Sequence, residues 1–212
     1  MPAELNPDVD RFDRWAPKYD QSWMQRWYFG PVHAAMLDEL AAHGSSEAPR
    51  CVLDIGCGTG RLLRAAALRW PQAKLTGVDP AEHMVTEARR LTPSADIRVA
   101  PAESIPFSDS SMDLVLTSLS FHHWADQRRG LQEIVRVLRP GGRLCFADHT
   151  APGWLVLHER SRSWAELRSM MSEAGLKVCE RHQLWSRFVR VVVACRNPVT
   201  GGQDGQPVSK EA

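Results

Sequence analysis

Lysine is scarce in this chain of 212 residues: it stands at positions 18, 74, 177 and 210 only, and arginine supplies the rest of the 26 basic side chains. Against 25 acidic residues the net charge is +1, with no dense basic cluster. So balanced a chain has no field to gather nucleic acid or an anionic membrane, and neither is expected as a partner. No apolar run is longer than a strand, which argues against a bilayer-spanning helix and stable membrane insertion. The opening Met1-Pro-Ala-Glu-Leu-Asn-Pro-Asp8 lacks the charged-then-apolar pattern of a secretory signal. Also missing is any CxxC pair. The five cysteines (51, 57, 145, 179, 195) are odd in number, widely spaced and mostly inside strand-like apolar runs. They read as buried thiols of a reducing compartment, so a cytoplasmic protein with no metal site is expected.

What the chain does have is a glycine-rich connection flanked by carboxylates. Val52-Leu-Asp54-Ile-Gly56-Cys-Gly58-Thr-Gly60 is an apolar run ending in an acid and three glycines at alternate positions, and Gly77-Val-Asp79 repeats the apolar-run-then-acid pattern about twenty residues on. Glycines at such a turn let the backbone close in on a ligand, and an acid at the end of the second strand is placed to accept both hydroxyls of a ribose. The dinucleotide fingerprint is G-x-G-x-x-G, with its helix N-terminus facing a pyrophosphate. Here the spacing is G-x-G-x-G, and Asp54 stands at the mouth of the turn. That acid would repel a pyrophosphate but suits an ammonium group, so a nucleoside carrying an amine and no phosphate fits best: S-adenosyl-L-methionine.

Helical and strand patterns alternate along the chain. Strands are expected at 51–55, 74–78, 96–100, 112–118 and 143–148, with helices at 60–70, 81–91 and 126–138, the last stopped by Pro140-Gly141-Gly142. A helix at 161–174 precedes two strands, 176–182 and 187–195, with no helix between them, so the final strand should run antiparallel. The fold class expected is α/β: a Rossmann-like, doubly wound, seven-stranded sheet, mostly parallel. Residues 1–50 read as an N-terminal helical lid, 51–196 as the cofactor-binding domain, and 197–212, poor in apolar residues, as a disordered tail.

With these motifs in register, the chain resembles a class I S-adenosylmethionine-dependent methyltransferase, in the branch of the ubiquinone/menaquinone-biosynthesis C-methyltransferases and many small-molecule O-methyltransferases. Besides the two motifs above, the resemblance rests on Ala102-Glu-Ser-Ile-Pro-Phe107, Met112-Asp-Leu-Val115, Ser118-Leu-Ser-Phe-His-His-Trp124 and Glu133-Ile-Val-Arg-Val-Leu-Arg-Pro-Gly-Gly142. It implies that Asp54 meets the methionine ammonium, that the backbone of Gly56, Gly58 and Gly60 wraps the ligand, and that Asp79 takes the ribose hydroxyls. It further implies Met84 on the adenine face, Ala102 at the adenine edge, and the Thr117 carbonyl toward the cofactor's amino group. Relatives often carry an acid where this chain has Pro101, so either Glu103 substitutes at the adenine amino group or that contact is missing and affinity rests on the ribose and the methionine end. Phe12-Asp-Arg-Trp-Ala-Pro-Lys-Tyr19-Asp20 resembles the segment that covers the cofactor, with Tyr19 reaching the methionine carboxylate. Trp15, Trp23, Trp27, Tyr28 and Phe29 make that segment unusually aromatic.

Methyl transfer from a sulfonium is an in-line displacement that depends on alignment and on exclusion of water. A hydroxyl or acidic carbon acceptor also needs a base, and His122, His123 and His149 all follow strands whose carboxyl ends face the ligand side of such a sheet. The other histidines, His33 among them, show no recognisable constellation. The acceptor expected is a small molecule, apolar or aromatic, with Trp124 and Trp154 along the cleft. Oligomeric state has no signature in the sequence. Two other readings use the same sheet: a non-catalytic, cofactor-binding partner subunit, and a nicotinamide-dependent oxidoreductase, which the glycine spacing disfavours.

Overall fold

A computed structural model describes residues 7–42, 47–150, 160–183 and 189–197. The expected tail beyond Asn197 and Trp154 both lie outside the described residues. Helix α1 (Pro7–Tyr19) and a π-helical turn, Gln25–Phe29, running directly into α2 (Gly30–Ala42) come first. There follow β1 (Cys51–Ile55), α3 (Arg61–Arg69), β2 (Lys74–Asp79), α4 (Glu82–Leu91), β3 (Asp96–Val99) and β4 (Met112–Ser118). A 3-10 turn, Phe121–His123, then leads to α5 (Gln127–Val137), β5 (Leu138–His149), α6 (Trp164–Glu173), β6 (Leu176–Gln183) and β7 (Val189–Arg196).

The strands form one seven-stranded sheet in the order β3-β2-β1-β4-β5-β7-β6. The first five pair in parallel, while β7 lies between β5 and β6 and runs antiparallel to both. This is the Rossmann-like arrangement expected. Central strands covered on both faces need continuous apolar runs, and β4 supplies one with Leu114, Val115 and Leu116 all buried. One apolar layer joins alternate residues Leu53, Ile55, Val115 and Phe146 to Leu131, Ile134 and Leu167 of α5 and α6. The opposite layer joins Val52, Leu114 and Leu116 to Met36, Leu63 and Val85 of α2, α3 and α4. A smaller cluster, Ala16, Ala81 and Met84 with Phe12 and Tyr19 against it, packs α1 on the start of α4.

Two expectations need correction. Pro140-Gly141-Gly142 does not end α5, which stops at Val137; β5 begins at once at Leu138 and includes these residues. They form an irregularity within the strand: Met112 pairs with Leu138 but Leu114 with Arg143, and Gly141 has φ 76°. Cys179 is exposed rather than buried, because the register of β6 on β7 shifts between Val178 and Glu180. No helix of the described residues is long and apolar enough to cross a membrane.

The strand order reverses between β1 and β4, the point at which ligands collect outside the carboxyl ends of such sheets. Trp124 is held there by α5: a Cβ on Gly130 would lie 2.4 and 2.6 Å from two atoms of its indole. Gly130→Ala should therefore displace Trp124. Overpacking costs about 1–3 kcal/mol, more than the roughly 1 kcal/mol that alanine otherwise gives a helix. Calorimetry should show a melting temperature lowered by several degrees; an unchanged value would mean that the indole has room to move.

Candidate functional site

A cavity of about 540 Å³ opens at this switch point, within the range of small-molecule sites. Its floor is the loop after β1. Gly56, Gly58 and Gly60 all have positive φ (70°, 52° and 80°), and a Cβ on Gly56 would come within 2.5 Å of Ser120 Cβ and Oγ. The adjoining wall is built by a residue that no motif singles out. Leu119 has φ 52°, a left-handed conformation costing a branched-chain residue on the order of 1–2 kcal/mol. That turn ends β4 and brings Ser120 Oγ to 2.8 Å from Thr117 Oγ1 and 3.2 Å from the Ile55 carbonyl.

Asp79 ties the loop together. Its carboxylate accepts from Gly58 N at 2.8 Å and Ala81 N at 2.9 Å, joining the turn after β1 to the start of α4. Burial raises its pKa to about 6 even though those two amides favour the charged form. Asp54, 2% exposed, also lines the cavity. Burial first and then the neighbouring Asp79 charge push its pKa well up. Among the described residues no donor or cation meets Asp54, so a buried carboxylate faces the cavity without a partner.

The roof comes from the N-terminal segment. Phe12, Tyr19 and Phe29 line the cavity, while Trp15 stacks behind Phe12 and Tyr19 with centroids 6.5 and 5.0 Å away. Trp23 and Trp27, expected in the same aromatic wall, point outward and are 72% and 66% exposed. Three acids hold this segment down. Asp8 meets His123 Nδ1 at 2.9 Å, and Asp13 accepts from the His83 backbone N at 2.7 Å and pairs with its ring. Asp20 accepts from Arg64 at 2.7 Å and from the Thr59 hydroxyl.

The residues singled out in the sequence thus divide in two. Tyr19, Asp54, Gly56, Gly58, Asp79, Met84, Ala102, Glu103 and His123 all line the cavity. Gly60 caps α3 behind the loop, and Thr117 is buried beneath Ser120; Ser118 and Leu119 reach the cavity in its place. Glu103 Oε1 already accepts from Asp126 N at 2.9 Å, at the start of α5. His122 and His149 stand behind His123, their rings 4.0 and 5.2 Å apart from the neighbouring ring in the series His123, His122, His149. Their ligand atoms and the Asp148 carboxylate lie within 4.8 Å of one another, a grouping that the reading of no metal site did not foresee. Asp148 is well served by protein donors: His122 Nδ1 at 2.6 Å, His122 N at 3.2 Å and His149 N at 2.6 Å. Burial works against the charged His122 ring, but Asp148 outweighs it and raises the pKa. Burial and the His122 ring lower that of His123 to about 4. His33, Gln25 and Arg61 line the cavity too and were missed, because three elements bring them together and no motif links them.

Residues 53–146 match the family of methyltransferase domains. An uncharacterized methyltransferase of Mycobacterium tuberculosis is 35% identical over 144 residues, 68% of this chain and 56% of that protein. The O-methyltransferase resE of Aspergillus sclerotiorum is 35% identical over 163 residues, 68% of this chain and 61% of that one. The chain therefore spans less than two thirds of the length of these relatives. A SAM-dependent methyltransferase from Aquifex aeolicus has the same fold, with a TM-score of 0.69 and 21% identity over 87% of this chain and 98% of that one. Residues 53–146 therefore form a methyltransferase domain of the class I, S-adenosylmethionine-dependent kind.

The cofactor of such domains is S-adenosylmethionine, and the site's donor set fits it. An unpartnered buried carboxylate suits an ammonium, a second one suits hydroxyl donors, and the cradle has no room for side chains at Gly56. The raised carboxylates give a pH course with a definite sign. Both folded pKa values lie above the unfolded ones, and without ligand the contribution of Asp79 to stability falls as pH rises from about 4 through about 6. A ligand ammonium reverses the preference by favouring the charged forms. S-adenosylhomocysteine should therefore bind more weakly as pH falls from 7.5 to 5, by up to about tenfold per unit for each carboxylate titrated, with proton release near pH 6. Calorimetry in buffers of different ionisation enthalpy measures both, and an affinity flat over that range would remove the two acids from ligand contact.

Proposed function

We propose that this chain transfers the methyl group of S-adenosylmethionine to a small-molecule nucleophile, with oxygen or carbon as the accepting atom. The observation that carries the reading is Asp54: a carboxylate kept buried and unpartnered on the cavity wall beside Asp79 is of use only to a cationic ligand. The bound cofactor supplies an activated methyl group on a sulfonium. Asp54 holds the ammonium and Asp79 the ribose hydroxyls, each hydrogen bond to a charged group contributing roughly 1.5–3 kcal/mol. Met84, Ala102 and Trp124 flank the adenine, and Tyr19 closes the methionine end. Of the lid expected over residues 1–50, the part from α1 through Phe29 acts as one, excluding water from the transfer, whereas α2 packs Met36 into the core of the sheet. Phe12, Phe29 and Leu119 give the acceptor side an apolar and aromatic surface, which suits a planar or hydrophobic molecule. The name of the relative resE adds weight to an oxygen acceptor.

Of His122, His123 and His149, His123 is the one that lines the cavity, and we assign it the proton of the acceptor. Its Nδ1 faces the Asp8 carboxylate, which can only accept, so in the neutral ring Nε2 is free of its proton. His122 and Asp148 form a charged pair behind it that orients the loop after β4.

Isotopically labelled methyl donor incubated with a metabolite extract should yield a labelled small-molecule product; label found only in protein or polymer would contradict a small-molecule acceptor. With an oxygen acceptor, His123→Ala should lower kcat by about 10²–10⁴-fold and leave cofactor affinity intact. The acid limb of kcat then identifies the base. A limb near pH 4–5 belongs to His123, whereas one above 6.5 belongs to His122, whose pKa is raised. Asp79→Ala should weaken cofactor binding at least tenfold. In the absence of such a loss, a folded variant would exclude Asp79 as a ligand.

A further inference from the structure

The methionine portion of the cofactor carries two opposite charges on one carbon, and Asp54 answers one of them. At the other end of the glycine loop the polarity is reversed. Arg61 opens α3, and its guanidinium makes a single contact among the described residues, 3.9 Å from Asp20 Oδ2. Asp20 does not depend on it, being engaged at 2.7 Å by Arg64 and also by the Thr59 hydroxyl. Arg61 Nε is buried with no hydrogen-bond partner. Nε2 of Gln25, a residue only 2% exposed at the start of the π-helical turn, has no well-aligned hydrogen bond and, among the described residues, only the Tyr19 hydroxyl as a polar neighbour. Such turns recur at functional sites because they re-aim a side chain.

Gln25, Arg61, His33 and Tyr19 all line the cavity. They are neighbours: Tyr19 feels Gln25 and Arg61, and His33 is held uncharged by burial and by Arg61 and Arg64. Arg61 and Arg64 share Asp20 as their ion-pair partner, and the uncapped amino end of α3 adds positive potential at Arg61. The Tyr19 ring reaches to 3.8 Å from where a Gly58 Cβ would be, so the cluster abuts the cradle itself.

We propose that Arg61 and Gln25, with His33 beside them, seat the α-carboxylate of the cofactor's methionine portion. This rests on the cofactor reading above and assigns residues that lie outside the glycine motif. Arg61 supplies the charge and Gln25 a neutral amide donor, while Tyr19 closes over the group. The seat and Asp54 together read the zwitterion, so a nucleoside with an amine but no carboxylate should be refused at this end.

Titration calorimetry of the full chain with S-adenosylmethionine, its decarboxylated form and 5′-methylthioadenosine separates the possibilities. The wild type should prefer S-adenosylmethionine to the decarboxylated form by at least tenfold. Arg61→Met should weaken S-adenosylmethionine at least tenfold and change the decarboxylated form by no more than about twofold. Gln25→Glu should show the same selective loss, and Gln25→Leu a smaller one with a melting temperature equal to or above that of the wild type. Equal losses for both ligands would mean that these residues only shape the fold, and no loss for either would place the carboxylate elsewhere; each result overturns the proposal. If 5′-methylthioadenosine and both larger ligands all fail to bind the wild type, the cofactor reading itself falls, and the carboxylate seat with it.

Discussion

Asp79 is the group on which the rest of the site depends. One carboxylate fixes the loop after β1 through Gly58, starts α4 through Ala81 and still faces the cavity. Its burial, next to a second acid with no counter-charge, is unfavourable for the empty protein. A fold bears such a cost where a ligand offsets it, and the positive end of that ligand can be placed before any ligand is seen. The glycines follow from the same constraint, since the chain must curve tightly enough for backbone amides to reach Asp79.

The helical segment over the cavity is attached by polar contacts as much as by packing. Its buried apolar contribution is small, essentially Ala16 with Phe12 and Tyr19 against Ala81 and Met84. Asp8, Asp13 and Asp20 each reach a different part of the sheet domain. Partly exposed ion pairs are individually weak, commonly about 0–1 kcal/mol. Three of them around a thin apolar layer make a cover that is specific in position and still able to release a product.

Much of the fold was legible because parallel strands buried on both faces must be written as apolar runs, and helices on such a sheet must carry a 3.6-residue stripe. The Pro140-Gly141-Gly142 segment misled because a stop signal for a helix can equally be an irregularity in the strand that follows. Within the site, Asp54, Asp79 and the glycine loop were readable from spacing, since the ends of two successive strands hold them. Leu119 was not, because nothing in its identity announces a left-handed backbone. Nor were Gln25, His33 and Arg61: their meeting depends on how a π-helical turn sets the segment before α2 against α3, which is tertiary geometry. The outward Trp23 and Trp27 show the converse, aromatic residues whose sequence neighbourhood suggested a wall that the helix phase turns away from.

The three acids of the N-terminal helix have partners at steadily growing distance along the chain. Asp20 finds Thr59 and Arg64 39 and 44 residues on, Asp13 finds His83 after 70, and Asp8 finds His123 after 115. On a ribosome those partners emerge in that order, and the entropy of closing each loop rises in the same order. Loop entropy alone thus makes Asp20 the least costly fastening of this segment and Asp8, at its beginning, the most costly.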